Sequence, residues 1–198
     1  MGLELEYLAG QTPISEDEKA GLLIPTISTK SELDEFEQKN IEQAVQWSLS
    51  RRFRQEEILT ERFVRELHRR MFGSVWAWAG EFRKTNTNIG VDKWQIGVEL
   101  KNLLEDAGYW IANEIFSPDD IALRFKHRVV CIHCFPNGNG RHSRLMADII
   151  SEQVFKRPHF TWGTGDFSGE GKTREEYIKA VKTADRGDYA LLSAFARS

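Results

Sequence analysis

The sequence has little net charge, few cysteines and no long apolar run, and each absence removes a class of function. Its 198 residues carry 27 Lys and Arg against 30 Asp and Glu, a net of -3. No broad field therefore draws the chain to nucleic acid or anionic lipid, and any basic site must be local. Arg51, Arg52, Arg54, Arg69 and Arg70 concentrate positive charge, but read most simply as a solvated helix face, so direct nucleic-acid binding is not expected. No apolar stretch approaches the roughly 18 residues of a membrane span. The amino terminus lacks the charged-then-apolar pattern of a secretory leader, so a reducing cytoplasm is the expected compartment. Internal repeats, low-complexity tracts and linkers are absent too, and the length suits one domain able to bury about 70% of its unfolded surface.

The only cysteines, Cys131 and Cys134, form a C-x-x-C. A redox pair of this kind follows a strand and opens a helix, whereas this one ends a helical pattern, and no second pair completes a zinc site. A Cys2His2 site with His133 and His142 is the alternative. The preferred reading is two small, partly buried side chains.

What is present is helical periodicity. Met1 to Thr29, broken by Pro13 and Pro25, reads as an irregular arm. Leu33, Phe36, Ile41, Ala44, Val45 and Leu49 then follow an amphipathic stripe, with Ser31 as N-cap and Asp34 three residues on. Thr60 caps a second helix lined by Phe63, Val64, Leu67, Met71 and Phe72, which Gly73 stops. Trp76, Trp78 and Phe82 supply core. Thr85-Asn-Thr-Asn88 offers turn chemistry, and a short β-hairpin or flap is predicted between Phe82 and Val91. Gln95 to Ile115 is helical again. Ser117-Pro118 opens the helix that ends at His133, and Leu145, Met146, Ile149, Ile150 and Val154 give the following helix its buried face. These two helices should be the most buried pair. Gly171-Lys172-Thr173 ends like a P-loop, but Asp166 stands where its first glycine belongs. A surface loop is preferred there, followed by a capping box, Thr173 to Glu176, and a last helix from Asp188 to Ala196.

Between the central helices lies His133-Cys-Phe-Pro-Asn-Gly-Asn-Gly-Arg-His-Ser-Arg144. Gly138 and Gly140 let backbone N–H groups converge, and the helix start adds its unpaired amides and positive dipole end, a combination suited to phosphate. Arg141 and Arg144, at i and i+3, can grip one polyphosphate. His133 is the side chain suited to proton abstraction near neutrality. His68, His127 and His159 lack such a context and read as packing or surface residues, and His142 is expected to face away from Arg141.

This stretch resembles the Fic/Doc signature His-x-Phe-x-(Asp/Glu)-Gly-Asn-Gly-Arg-x-x-Arg, with Asn137 in place of the acid. Trp78-Ala-Gly80-Glu-Phe-Arg83, Asn88-Ile-Gly90 and Ala184-Asp-Arg-Gly187-Asp-Tyr-Ala-Leu-Leu192 extend the resemblance, which is nearest to the subgroup called mobile mystery protein B. It implies an all-α bundle with a small β-hairpin flap, organised as an arm and candidate inhibitory helix to about residue 50 and a core over 51–198. It also implies transfer of AMP from ATP to a Ser, Thr or Tyr hydroxyl of a target protein, in a toxin-antitoxin-like setting beside a helix-turn-helix partner. His133 would be the base and Phe135 the anchor of the loop. Asn137, Gly138, Asn139 and Gly140 would line the phosphates, Arg141 would neutralise developing charge, and Arg144 would hold the γ-phosphate. Thr85, Asn86, Thr87, Asn88 and Ile89 would dock the target backbone. Glu37 would be the inhibitory partner of Arg144. Mg²⁺ is expected as the companion of ATP, but Asn137 offers it an amide oxygen without charge. The alternatives are a nucleotide- or peptide-binding module working with the helix-turn-helix partner, and a different nucleotide donor.

Overall fold

The computed structural model describes residues 13–164 and 172–198. Within them the chain is helical, and the β-structure is a single isolated antiparallel bridge between Leu22 and Trp76. In the described part of the arm, Ser15 closes a capping box on α1 (Glu16–Lys19). It then runs beside the tryptophan segment, with Leu23 N donating to Val75 O at 2.8 Å and Ala77 N to Gly21 O at 2.8 Å.

The first long helix, α2 (Lys30–Leu49), starts from Thr29, whose side chain and that of Glu32 form the capping box. The predicted Ser31–Asp34 box lies two residues too late, because Glu32 also accepts from Ser28 N and so has more donors to satisfy. Its buried face differs from the predicted stripe as well. Phe36 and Leu49 are exposed, while Leu33, Glu37, Asn40, Ala44 and Ser48 face inward. Those positions follow helical spacing, and their polar members have partners. Asn40 donates to Arg70 O and accepts from Ser74 N, satisfying the open end of the helix on which α2 lies.

That helix is α4 (Glu61–Phe72), preceded by the short α3 (Gln55–Ile58). Thr60 caps it as expected, and Phe63, Val64, Leu67, Met71 and Phe72 are buried. Next, α5 (Ile96–Ala112) buries Ile96, Leu100, Leu103, Leu104 and Ala107. It stops at Asn113, so Ile115 is exposed beyond it.

The central pair is α6 (Pro118–Ile132) and α7 (Asn139–Ile149), the latter continued by a π-helical turn, Ile150–Val154. Ser117 caps α6 with Pro118 in its first turn. These helices pack on one another, α5 lies against α6 and α4 against both α5 and α7. Ala122, Phe125, Phe135 and Met146 lie fully buried between them. Finally α8 (Lys172–Ala184) and α9 (Ala190–Arg197) pack together, and α9 rests on α6. Thr173 already lies inside α8, so the predicted capping box does not form its start. The P-loop-like reading rests on Asp166 and Gly171, which lie outside the described residues. No helix among the described residues is long and apolar enough to cross a membrane.

Phe82 to Val91 is a set of bends with no hairpin. Arg83 replaces strand pairing: its guanidinium donates to His133 O at 2.7 Å, to Thr85 O at 2.8 Å and to Val91 O, and its own amide bonds Cys134 O. Three carbonyls drawn to one buried cation hold the loop where ladder bonds were predicted.

At the far end of α7, Asp148 accepts from Phe160 N and Trp162 Nε1. Burial nevertheless raises its carboxyl to about 6. The folded value lies above the unfolded one, so this group contributes stability that is fully present below about pH 4 and lost as pH rises through about 6. Urea melts of Asp148→Asn and wild type should therefore show the variant gaining relative stability between about pH 4 and about pH 7.5; a constant difference would contradict this assignment.

Candidate active site

The turn between α6 and α7 is built by side chains that return to their own backbone. His133 ends α6 in the left-handed region, φ 57°, ψ 61°. A non-glycine residue there costs on the order of 1 kcal/mol and needs support. Asn139 supplies part of it: Phe135 N donates to Asn139 Oδ1 at 3.0 Å, and Asn139 Nδ2 donates to Phe135 O at 2.8 Å. Its side-chain amide is thus used on the loop, and the backbone N–H is the donor Asn139 has left for phosphate.

Phe135, expected to anchor the loop, is a core residue with no exposed surface. Its ring stacks on His68 at 3.7 Å and meets His142 edge-on at 5.2 Å. His142 is itself buried and bonded to Val64 O at 3.0 Å. His68 accepts from Gly80 N at Nδ1, so its Nε2 carries the proton given to Asn137 O at 3.0 Å. Burial, and then His142, lower its pKa well below the usual value, so the ring serves as a neutral strut. Sequence reasoning did not assign His68 this work. The signal was its spacing, four residues from both Val64 and Phe72 on the apolar face of α4.

Gly138 is left-handed at φ 76°, and a Cβ there would lie 2.5 Å from the Phe72 ring, so only glycine fits. Gly140, in contrast, faces open space. No side chain caps α7 at Gly138. Its first-turn amides have no intrahelical acceptors, so the helix offers donors and a positive dipole end to an anion.

Arg141 reaches back toward α2. Its Nη1 donates to Glu37 Oε2 at 2.6 Å, while Glu37 Oε1 accepts from Trp76 Nε1 at 2.6 Å. The partner of Glu37 is thus Arg141, and the predicted pairing with Arg144 is not formed. Arg144 lies one helical turn on and points toward α8, 5.4 Å from the centre of the Tyr177 ring. Burial raises the Tyr177 phenol, but Lys126 and Arg144 outweigh it and lower the pKa overall. The two arginines therefore serve different elements in this arrangement.

His133 itself is only 4% exposed. The predicted docking loop covers it: a Cβ on Gly90 would lie 2.6 Å from His133 Cβ. Thr85, Asn86, Asn88 and Ile89 are exposed along that loop, with Asn86 tied to Asp92 and Lys93. Burial first, and then the Arg83 cation, lower the imidazole to about 4, offset in part by a hydrogen bond with the Val130 carbonyl. The ring is consequently neutral and able to accept a proton at physiological pH.

The donor set does not suit Mg²⁺. Asn137 Oδ1 accepts from Gly138 N at 2.6 Å and faces Arg141 Nη2 at 3.5 Å, so the amide oxygen is already engaged by donors, one of them cationic. The nearby carboxylate, Glu37, is taken by Trp76 and Arg141. The C-x-x-C does not make a Cys2His2 site either. Cys134 is buried and Cys131 exposed, and among the described residues the group that converges is His127, Cys131 and Asp185.

Residues 58–151 match the model of the Fic/DOC family. That span holds both central helices and the whole loop. The chain carries a Fic/DOC family domain. Among relatives, it is 27% identical over 163 residues to a protein of Nematostella vectensis named protein adenylyltransferase Fic, covering 80% of this chain and 36% of that one. A protein of the same name from Drosophila grimshawi is 28% identical over 134 residues, 66% of this chain and 26% of that one. The chain thus spans about a quarter to a third of the length of these relatives. Similar solved structures include Fic-1 of C. elegans, with TM-score 0.67, 22% identity and coverage of 90% of this chain and 51% of that one. Another is BepC of Bartonella tribocorum with bound AMPPNP, with TM-score 0.64, 19% identity and coverage of 92% and 97%. At such identities these structures establish the shared Fic fold.

The neutral imidazole gives a direct test. An NMR titration should find His133 with a midpoint near the value of about 4 set by its burial; a midpoint at about 6.5 would mean the ring is solvated and the Gly90 loop does not cover it.

Proposed function

We propose that this Fic domain transfers AMP from ATP to a hydroxyl of a protein substrate. The carrying observation is the uncapped start of α7, open at Gly140, immediately following a buried, neutral His133. The hydroxyl oxygen attacks the α-phosphorus, His133 accepts its proton, and pyrophosphate departs as the P–O bond to it breaks. Amides of the first turn of α7 stabilise the charge that grows on the non-bridging oxygens, and Arg141 adds a cation once free of Glu37. Arg144 sits one turn further along the same face, where it can reach the departing pyrophosphate. The largely exposed loop Thr85 to Ile89 is the docking edge for an extended target segment. The relatives named as protein adenylyltransferases support this reading.

The arrangement described above is a restrained one. The Glu37 carboxylate neutralises Arg141, and the Gly90 loop covers His133, so transfer requires both to yield. Glu37→Gln keeps an acceptor for Trp76 and removes the charge that holds Arg141. With α-labelled ATP and a protein substrate, or with self-labelling, this variant should incorporate about tenfold more label, the factor equivalent to about 1.4 kcal/mol. His133→Ala should incorporate none. Label that persists in His133→Ala would overturn the transferase reading, and equal labelling by Glu37→Gln and wild type would remove the inhibitory role.

A second reading, nucleotide binding without transfer in concert with a helix-turn-helix partner, is favoured by the engaged oxygen of Asn137. Asn137→Asp would place a carboxylate at the same point. Mg²⁺ should then tighten ATP binding in the variant and have little effect in the wild type, as measured by calorimetry. Equal tightening in both would show that Asn137 does not limit the metal.

A further inference from the structure

On the far side of α6, three side chains converge that play no part in the proposed transfer. His127 and Cys131 are four residues apart and share a face of α6. Asp185 follows the last turn of α8, with its amide bonded to Val181 O at 3.1 Å. His127 Nε2 lies 2.8 Å from Asp185 Oδ1 and 3.6 Å from Cys131 Sγ, and Cys131 Sγ lies 3.7 Å from Asp185 Oδ1. The other ring nitrogen, Nδ1, faces the Tyr189 hydroxyl at 3.2 Å.

Two simpler roles fail on this geometry. A thiol nucleophile activated by histidine needs the cysteine on one ring nitrogen and the carboxylate on the other. Here both face Nε2, and burial and the Asp185 charge push the Cys131 thiol up to about 11, away from nucleophilic thiolate. A plain hydrogen bond tying α8 to α6 needs only His127 and Asp185 and gives Cys131 no role.

We propose that His127 Nε2, Cys131 Sγ and Asp185 Oδ1 bind one divalent ion of the zinc type, with a fourth position open to water. Zinc bonds of about 2.0–2.2 Å to N and O and about 2.3 Å to S, at tetrahedral angles, place sulfur about 3.6 Å from the other two ligands and N about 3.4 Å from O. Both sulfur edges match as they stand, and the His127–Asp185 edge must open by about 0.6 Å. Asp185 can make that movement, because its side chain is 52% exposed while that of His127 is 8% exposed. The exposed thiol and carboxylate leave an entry path, and together they would bring the ion's charge to zero. A divalent ion removes the barrier to thiolate formation. The Tyr189 oxygen, accepting from Nδ1–H, would hold the ring in the tautomer that leaves Nε2 for the metal. Occupancy would fasten α8 and the start of α9 to α6, through residues independent of the phosphate loop.

The test uses the full chain, stripped with chelator and titrated with Co²⁺ and Zn²⁺. One equivalent of Co²⁺ should produce a thiolate charge-transfer band, displaced by Zn²⁺, and Zn²⁺ should raise the melting temperature. Cys131→Ser should abolish the band and lower Zn²⁺ affinity by about 100-fold or more, and Tyr189→Phe by about 10- to 100-fold. Cys134→Ala should retain the band. Absence of a thiolate band in the wild type, or Zn²⁺ affinity unchanged in both Cys131→Ser and Asp185→Asn, would overturn the proposal. The wild-type spectrum reads the site without relying on the folding of any variant.

Discussion

The pair of hydrogen bonds from the Asn139 side chain to the Phe135 backbone is the constraint on which the rest of the site depends. Six residues separate the end of α6 from the start of α7, too few to reverse direction without unusual backbone at both His133 and Gly138. The Asn139 clasp ties the start of α7 back to the middle of that span. The Phe135 ring anchors its middle against His68 and His142, and the His68 proton holds Asn137 O from below. With these donors and acceptors satisfied inside the loop, the first-turn amides of α7 remain directed outward. Rigidity and the proposed phosphate affinity therefore have one origin: the loop satisfies itself with side chains and leaves the helix end to a ligand.

Charge around this helix end is arranged by elements remote in sequence. From α2, Glu37 reaches Arg141 across the tryptophan segment; from the loop after Phe82, Arg83 holds three carbonyls around His133. Each is a buried charge with strong partners, the condition under which burial is tolerated. They also act in opposite senses. Arg83 favours the neutral imidazole, which helps a base, whereas Glu37 occupies the arginine that a developing phosphate charge would need. In the proposed transfer, the same short stretch of core would thus both prepare the reaction and restrain it.

The cluster on the other side of α6 extends this pattern. His127 and Cys131 lie on the helix whose end presents His133, and Asp185 and Tyr189 belong to the terminal helical pair whose Tyr177 interacts with Arg144. One helix therefore carries the proposed base at its end and, on its outer face, groups that can fasten the terminal helices to the core.

Local rules in the sequence were enough to locate the helices and the loop. Thr60 and Ser117 cap where their side chains can reach the second or third amide, and the apolar spacing of Phe63 to Phe72 or Ile121 to Ile132 permits one buried face. Gly138 could be assigned to the turn because only glycine is free of a Cβ. The sequence could also place His133, Arg141 and Arg144 near one helix start, since three or four residues fix their separation. Tertiary packing decided the partners. Whether Glu37 meets Arg141 or Arg144 depends on how α2 crosses α4, and that crossing is set by Asn40 at the end of α4 and by polar residues on a face that hydropathy alone would turn outward. Likewise, no local pattern tells that Arg83 replaces a hairpin, or that His127, Cys131 and Asp185 meet. The bonds from Arg83 to His133 O and from His127 and Cys131 to Asp185 join residues about 50 or more positions apart, and hydrogen-bond geometry at that range is created by the fold, beyond the reach of periodicity along one helix.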